Sequence, residues 1–294
     1  MIDNQKLVTV LVNCFNSEHY IHDCLKSLIN QTYSNLQIIV WDNQSTDNTA
    51  KIVNSFNDQR ISYYISNKFQ NLVDARINAL KHTNGDYIAI LDSDDVAHKN
   101  RIENQLQIFL SDQMIGVIGG AVNYIDNNGL YLKSKYFELN NNILKKIILH
   151  KFPFNNSTLM FSKFFFDKVN GYNSKYAYIN DYDLVYRISK VSKIINSKNI
   201  LSSNRLHDNN LSKQDFIFMQ EELLVFLKKI QLTIDNRYLF NLNTLSQIAC
   251  LLRLFRHLFK NRLYINAISK FFSIMKLGFF LILFNLNLYK NTND

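Results

Sequence analysis

One proline, seven glycines and three cysteines are all that 294 residues contain of these types. The scarcity of proline and glycine excludes collagen-like and Pro/Gly-rich low-complexity chains. Cys14, Cys24 and Cys250 are odd in number and form no C-x-x-C pair. A disulfide scaffold and a four-cysteine zinc site are thereby excluded, and a reducing compartment is implied. Absent as well are G-x-x-x-x-G-K-[ST], G-x-S-x-G and H-E-x-x-H. Gly116-x-x-Gly119-Gly120 lies inside a strand-like run and is no dinucleotide fingerprint. No secretory leader is read either. Leu7 to Phe15 is short, is interrupted by Asn13 and runs into Asn16, Ser17, Glu18 and His19 rather than a small-residue cleavage site.

Acid is scarce at the C-terminal end. From Arg237 onward eight basic residues face one acid, Asp294, so most of the formal charge of +9 sits there. Such an excess suits a polyanionic partner. The remainder is close to neutral, which argues against nucleic acid as a partner. What is present in quantity is apolar: 47% hydrophobic against 19% charged residues, enough for a packed core and too much for a disordered chain.

The first half alternates two periodicities. Leu7–Val12, Leu36–Trp41, Ile61–Ile65 and Tyr87–Leu91 read as strands, the first a continuous run rich in β-branched residues, of the kind buried on both faces. Between them Tyr20–Ile29, with Ser17 as N-cap, Thr46–Phe56 and Leu72–Leu80 read as helices. This order predicts an α/β fold with a mostly parallel sheet flanked by helices. Further on, Lys99–Leu110 reads as a helix, Val117–Val122 and Asn156–Phe161 as strands, Asp126–Gly129 as a hairpin turn and Asp181–Ser189 as a short helix. Asn140, Asn141 and Asn142 mark a turn. Beyond residue 212, strand signals give way to three helices, Gln214–Leu232, Tyr238–Lys260 and Tyr264–Leu288.

Ligands of parallel sheets bind beyond the carboxyl ends of the strands, and polar residues gather there. Asn13 and Asn16 follow the first strand, Asp42, Asn43 and Ser45 the second, Asp92, Ser93, Asp94 and Asp95 the fourth. Three carboxylates in four residues either hold a hard cation such as Mg²⁺ or Mn²⁺ or cap the following helix. Asp42 suits a base N–H or a ribose hydroxyl, or else begins a helix-capping loop. Asp181 suits a general base, or an ordinary helix start. His207, beside Arg205, suits a metal or a phosphate, or plain solvent.

Taken in order, these segments resemble the family 2 glycosyltransferases. Val8-Thr9-Val10-Leu11-Val12-Asn13-Cys14-Phe15-Asn16 is similar to VSVIIPTYN, and Ser27-Leu28-Ile29-Asn30-Gln31-Thr32-Tyr33 to SVLxQTY. Ile39 to Thr49 is similar to IVVDDGSTDxT, Asp74-Ala75-Arg76-Ile77-Asn78 to the A-R-N region, and Gly85 to Asp95 to GxYIxxLDxDD. Gly171-Tyr172-Asn173 followed by Asn180-Asp181-Tyr182-Asp183-Leu184 is similar to GGYD followed by EDxDL.

The resemblance implies the GT-A fold over residues 1–212, with a nucleotide-sugar half to about 115, an acceptor half to 212 and a helical extension over 213–294. It implies an inverting transfer, aided by Mn²⁺ or Mg²⁺, from a nucleotide sugar, usually a UDP-sugar, to a hydroxyl of a glycan or lipid-linked acceptor in bacterial surface polysaccharide synthesis. Asp181 is then the catalytic base. Asn13, Asn16, Asp42, Arg76, Asp92, Ser93, Asp94 and His207 bind the donor, and Asp94, Asp95 and His207 lie at the metal. Arg205, His207 and Ser212 match an R-x-H-x-x-x-x-S stretch. Two departures stand out: Asn43 for the second Asp of DDGS, and Asn180 for the Glu of the ED pair. A silent member that binds nucleotide sugar and scaffolds an assembly is the alternative. For the tail, Arg253, Arg256, Lys260 and Arg262 beside Leu251, Leu252, Leu254, Phe255, Leu258 and Phe259 suit an interfacial helix on an anionic membrane. Packing on the catalytic core or a homodimer through these helices is the other outcome. The expected location is cytoplasmic, peripheral on the inner face of the plasma membrane.

Overall fold

The computed structural model describes residues 6–208, 210 and 214–290. They form two compact units. One comprises residues 1–145 and 153–208, the other residues 146–152 and 209–294.

The first unit is built on a nine-stranded sheet. Its elements in chain order are β1 (Val8–Cys14), α1 (Ile21–Ile29), β2 (Leu36–Asp42), α2 (Thr49–Asn54), β3 (Ile61–Ile65), α3 (Leu72–Leu80), β4 (Tyr87–Ile90), β5 (Val96–Ala97) and α4 (Arg101–Ser111). There follow β6 (Ile115–Ile125), β7 (Tyr131–Lys135), α5 (Asn141–Ile147), a 3₁₀ turn (Asn156–Thr158), β8 (Met160–Ser162), α6 (Lys163–Lys168), α7 (Asn180–Ser189) and β9 (Lys193–Arg205). The strand order is β3-β2-β1-β4-β8-β6-β9-β5, with β7 paired to β6. β3, β2, β1 and β4 run parallel, as do β6 and β9, while β8 is antiparallel to both β4 and β6.

The parallel half follows from burial. Val8, Val10, Leu11 and Val12 in β1 and Ile38, Ile39 and Val40 in β2 are fully enclosed. Each such side chain contributes about 1.5–3 kcal/mol relative to exposure. Ile21, Cys24, Leu25 and Leu28 form the inner face of α1 and pack into the same core. The register aligns Cys14 with Asp42, so the polar ends of β1 and β2 lie side by side.

Several boundaries differ from the sequence reading. Ser17 does not cap α1 with its hydroxyl. Its carbonyl accepts from Tyr20 and Ile21, and its Oγ lies 2.9 Å from Ser93 Oγ. α2 starts at Thr49 rather than Thr46, because residues 44–48 are tied as a loop to residues 16–18. Asn16 N donates to Ser45 Oγ (2.9 Å), Thr46 N to Asn16 Oδ1 (2.8 Å) and Glu18 N to Asp47 Oδ2 (3.0 Å). α4 starts at Arg101, two residues after its expected beginning. Asn140 opens α5 instead of marking a bare turn, its Oδ1 accepting from Asn142 N and Ile143 N. β9, thirteen residues long, and the two-residue β5 were not foreseen.

The second unit contains α8 (Phe216–Gln231), α9 (Arg237–Lys260) and α10 (Tyr264–Lys290). Phe226, Leu227, Ile230, Cys250, Leu251, Leu254, Leu258 and Ala267 form its interior. Asn243 Nδ2 donates to Leu149 O at 2.6 Å and Gln247 Nε2 to Asn243 Oδ1 at 2.7 Å, so the buried amides of α9 are paired. Within the stretch expected to face a membrane, Leu251, Leu254 and Leu258 are buried while Leu252 and Phe259 are exposed.

Candidate active site

Two clusters meet at the loop that follows β4. The first is centred on Arg76, delivered by α3 and only 1% exposed. Its Nη1 donates to Asn180 Oδ1 at 2.6 Å and to Asp181 Oδ2 at 2.5 Å, both at the start of α7. Its Nη2 donates to Asp92 Oδ1 at 3.4 Å. The hydroxyl of Tyr172 donates to the other Asp181 oxygen at 2.7 Å, and the guanidinium carbon stands 5.5 Å from the Tyr172 ring. Burial disfavours the charged guanidinium, but Asp181, Tyr172 and Asp92 outweigh it and hold the Arg76 pKa above the ordinary arginine value. Burial and then Asp181 push the Tyr172 phenol up.

The second cluster joins the β4 loop to the end of β9. His207 Nε2 lies 2.8 Å from Asp94 Oδ2. Tyr20 stacks on His207 with ring centres 4.9 Å apart, and the Arg205 guanidinium lies 5.0 Å from the same tyrosine ring. Tyr20 OH donates to Asn127 Oδ1 in the β6–β7 turn. Arg205 Nε donates to Asp94 O at 3.0 Å and its Nη1 to Asn127 O at 3.0 Å.

Asp92 belongs to the first cluster and precedes Asp94 of the second by two residues. It accepts from Arg76 and from Ser157 Oγ (3.2 Å). Part of its side chain reaches the cleft opening, yet surrounding protein, together with Asp94 and Asp181, pushes its carboxyl up to about 6 against the pull of Arg76. Beneath the loop Arg101 is wholly buried and donates to Ile90 O (2.8 Å) and Leu159 O (3.1 Å). Burial brings its pKa down to about 10.

Residues 9–169 match the family described as Glycosyl transferase family 2. The chain is 30% identical over 212 residues to an Escherichia coli UDP-Glc:alpha-D-GlcNAc-diphosphoundecaprenol beta-1,3-glucosyltransferase, WfgD, covering 71% of this chain and 81% of the relative. The chain belongs to glycosyl transferase family 2. Among solved structures, S. aureus TarS 1–349 with UDP-GlcNAc superposes with a TM-score of 0.63 at 18% identity, covering 85% of this enzyme and 72% of TarS. The mannosyltransferase PcManGT from Pyrobaculum calidifontis, solved with GDP-Man and Mn²⁺, gives a TM-score of 0.58 at 15% identity, covering 95% and 86%. The fold of the enzyme is therefore GT-A, with added C-terminal helices.

The structure redistributes the residues singled out from the sequence. The contacts above bring Arg76 together with Asp92 and Asp181, and Asp94 together with His207. Ser93 pairs with Ser17 at the same loop. Asn13 sits in β1 with a buried Nδ2 that has no hydrogen-bond partner among the described residues. Asn16, at φ +46°, is spent on Thr46 and shapes the loop after β1. Asp42, the expected base contact, is 1% exposed. It accepts from Ser45 N (2.7 Å) and Tyr63 OH (2.5 Å), and so anchors the Gln44–Asp47 loop. Asp95, expected at the metal, lies deeper. It is 3% exposed and turned into the sheet, where Asn204 Nδ2 (2.6 Å) and Arg205 N (2.8 Å) donate to its two oxygens. Ser212 lies outside the described residues.

The sequence reading assigns no role to Tyr20, the first residue of an expected helix, or to Tyr172, which lies within a motif. Tyr172 carried the better signal, a phenol nine residues before a helix-start carboxylate.

Among the described residues no group of three or more His, Cys, Asp or Glu side chains converges on one point. Asp94 and His207 are a pair. A small divalent ion that keeps waters and takes phosphate oxygens needs only one or two protein ligands, so this pair fits such an ion.

Proposed function

We propose that the enzyme is an inverting, metal-dependent glycosyltransferase that moves a sugar from a UDP-sugar to a hydroxyl of a lipid-linked glycan, in bacterial surface polysaccharide synthesis at the inner face of the plasma membrane. One observation carries the reading: Arg76 touches Asp92 on the donor side and Asp181 on the acceptor side, so a single buried cation ties the two halves of the reaction together.

Asp94 and His207 hold the divalent ion, Mn²⁺ or Mg²⁺, in this scheme. When bound, the ion supplies positive charge against the diphosphate that leaves. Asn13 offers its unpaired amide to the nucleotide, and Ser93, in the acidic loop, takes part in holding the donor. Asp181 takes the proton of the acceptor hydroxyl as that oxygen attacks the anomeric carbon from the face opposite the diphosphate. Tyr172 and Arg76 fix the orientation of the Asp181 carboxylate, which supplies the alignment that makes such a displacement fast. With Asn180 in place of a glutamate, Asp181 is the acidic partner that this helix start offers Arg76.

Support for the acceptor class comes from the WfgD relative, whose name specifies a GlcNAc-diphosphoundecaprenol substrate. The test is UDP release from a panel of UDP-sugars with Mn²⁺, with and without a GlcNAc-diphosphate-lipid analogue, followed by NMR assignment of the product anomer. Acceptor-dependent release with inversion is the expected result. No release with any donor favours the silent scaffold, a retained anomer overturns inversion, and full activity in excess EDTA overturns the metal.

A further inference from the structure

The longest helix of the second unit carries an apolar stripe that no described residue of that unit covers. On α10, Ile265 is 86% exposed, Ile268 54%, Phe272 67%, Met275 58% and Phe279 63%. These positions recur at alternating steps of three and four, so they lie in one row along the helix. Ala267, on another face of α10, is buried, and Lys270 Nζ reaches Glu221 Oε1 on α8 at 2.6 Å. The helix therefore packs by one side and leaves a different, strongly apolar side open. A contiguous patch of this kind marks a binding surface.

Spacing alone would allow a second copy of the chain to pair with this row as a coiled coil. Charge argues against that occupant. Paired helices choose partners through opposite charges flanking the apolar row. From Arg237 to Lys290 the sequence contains no aspartate or glutamate. Arg256, Lys260, Arg262 and Lys276 are all exposed, so two copies would bring cations against cations. Phe259, Leu263 and Tyr264 add exposed apolar surface where α9 turns into α10, on either side of Arg262. Among the described residues no helix is long and apolar enough to cross a membrane. An apolar row on a pair of helices that carries cations and no acid from Arg237 to Lys290 has the chemistry of a helix lying in the plane of an anionic bilayer.

We propose that α10 docks on an anionic membrane surface through the row from Ile265 to Phe279, with Arg256, Lys260, Arg262 and Lys276 against the lipid headgroups. This differs from the sequence expectation, which put the lipid-facing side on the stretch from Leu251 to Phe259. It gives the proposed lipid-linked acceptor a surface on which the enzyme meets it. It is read by lipid contact and not by transfer, so either idea can fail without the other.

The test uses the full chain with Phe272→Trp. Trp41, the sole native tryptophan, is 8% exposed in the other unit and serves as internal reference. Vesicles of phosphatidylcholine, with and without phosphatidylglycerol, are prepared with brominated acyl chains. Quenching of the added indole only when phosphatidylglycerol is present, and its reversal by salt, is the expected result. Phe272→Glu and Met275→Glu should each lower vesicle affinity about tenfold or more, as loss of one buried large side chain would. UDP binding followed by thermal shift should be unchanged. Absence of quenching, or equal quenching on uncharged vesicles, overturns the proposal. So does a lipid-free dimer in sedimentation that Phe272→Glu dissociates, which would assign the row to a second copy.

Discussion

The ring of Tyr20 lies against that of His207, centres 4.9 Å apart and planes 27° from parallel, at the start of α1. A residue near the N-terminus thus fixes the plane of an imidazole almost two hundred positions later. That imidazole points its Nε2 at Asp94. Replacing Tyr20 by Leu should leave the ring of His207 unsupported and weaken Mn²⁺ binding by about 10–100-fold, the usual cost of removing an outer partner of a metal ligand. Tyr20→Phe keeps the stack and loses only the bond to Asn127, so it should retain most of the affinity. Titration of Mn²⁺ by EPR in the presence of UDP separates the two variants, and equal behaviour would show that the stack is incidental.

Asp94→Ala should abolish transfer and strongly weaken Mn²⁺-dependent UDP binding, while metal-free UDP binding changes little. Calorimetry with and without Mn²⁺ reads this directly. His207→Ala should behave alike. If Asp95→Asn instead reproduced the metal phenotype without loss of stability, the inward-turned Asp95 would have been misassigned.

Asp181→Asn keeps the size of the side chain but takes no proton. Turnover should fall by about 10²-fold or more, as loss of a general base does, with UDP affinity nearly unchanged. Because Arg76 loses its charged partner, the melting temperature should be recorded on the same sample. Tyr172→Phe is the gentler probe. It removes one donor to Asp181, and should lower kcat more than it raises KM. Near-normal turnover of a folded Asp181→Asn protein would point to another base.

Gly85 is required by close approach. A Cβ there would stand 2.6 Å from Thr9 N and 2.7 Å from Thr9 Oγ1, where Gly85 N now donates to that hydroxyl at 3.0 Å. Gly85→Ala should cost about 1–3 kcal/mol, the range for overpacking a tight site, visible as a lowered melting temperature. An unchanged melt would mean that β1 and the turn before β4 separate easily.

All three thiols are free and buried. Burial, and then nearby carboxylates, push Cys14 and Cys24 well above the usual thiol range, and burial pushes Cys250 up as well. The thiolate is the reactive form, and a raised pKa removes it at neutral pH. The native protein should therefore react very slowly with Ellman's reagent until pH is strongly alkaline or denaturant is added, when three equivalents appear. Rapid reaction at neutral pH would contradict the packing around α1.

What the sequence could express was whatever one strand or helix specifies alone. β1, β2 and β4 are apolar runs enclosed on both faces, and such runs are legible without neighbours. β9 is not. Its residues include Asn196, Ser197, Lys198, Asn199, Ser202, Ser203 and Asn204, poor strand formers that gain their conformation from pairing with β6 across several register shifts. Asn196 is tolerated in the interior because Glu138 O and Pro153 O accept from its amide. β5 exists only as the partner of β9. The same limit applies within the site. Asp94 and Asp95 look equivalent in sequence, but they leave a turn closed by Asp95 N donating to Asp92 O, and their carboxylates meet different partners. Which of the two faces the cleft depends on Asn204 and Arg205. Likewise, nothing in the order of apolar residues tells that Leu254 is core while Phe272 is bare.

The inward turn of Asp95 also bears on how the protein acquires its site. A nascent chain that has emerged as far as residue 115 already contains β1 to β4 and the whole acidic loop, but neither the amide of Arg205 that anchors Asp95 nor the imidazole that meets Asp94. The donor half is thus unfinished until the last strand is laid in, and a ligand that bridges Asp94 and His207 acts as a clasp between early and late parts of the chain. Such a ligand, at a hundred times its dissociation constant, adds about 2.7 kcal/mol to the folded state. That gain belongs to the closure of the whole sheet, so donor and ion together should protect amides of β9 from hydrogen exchange as strongly as those of the acidic loop itself.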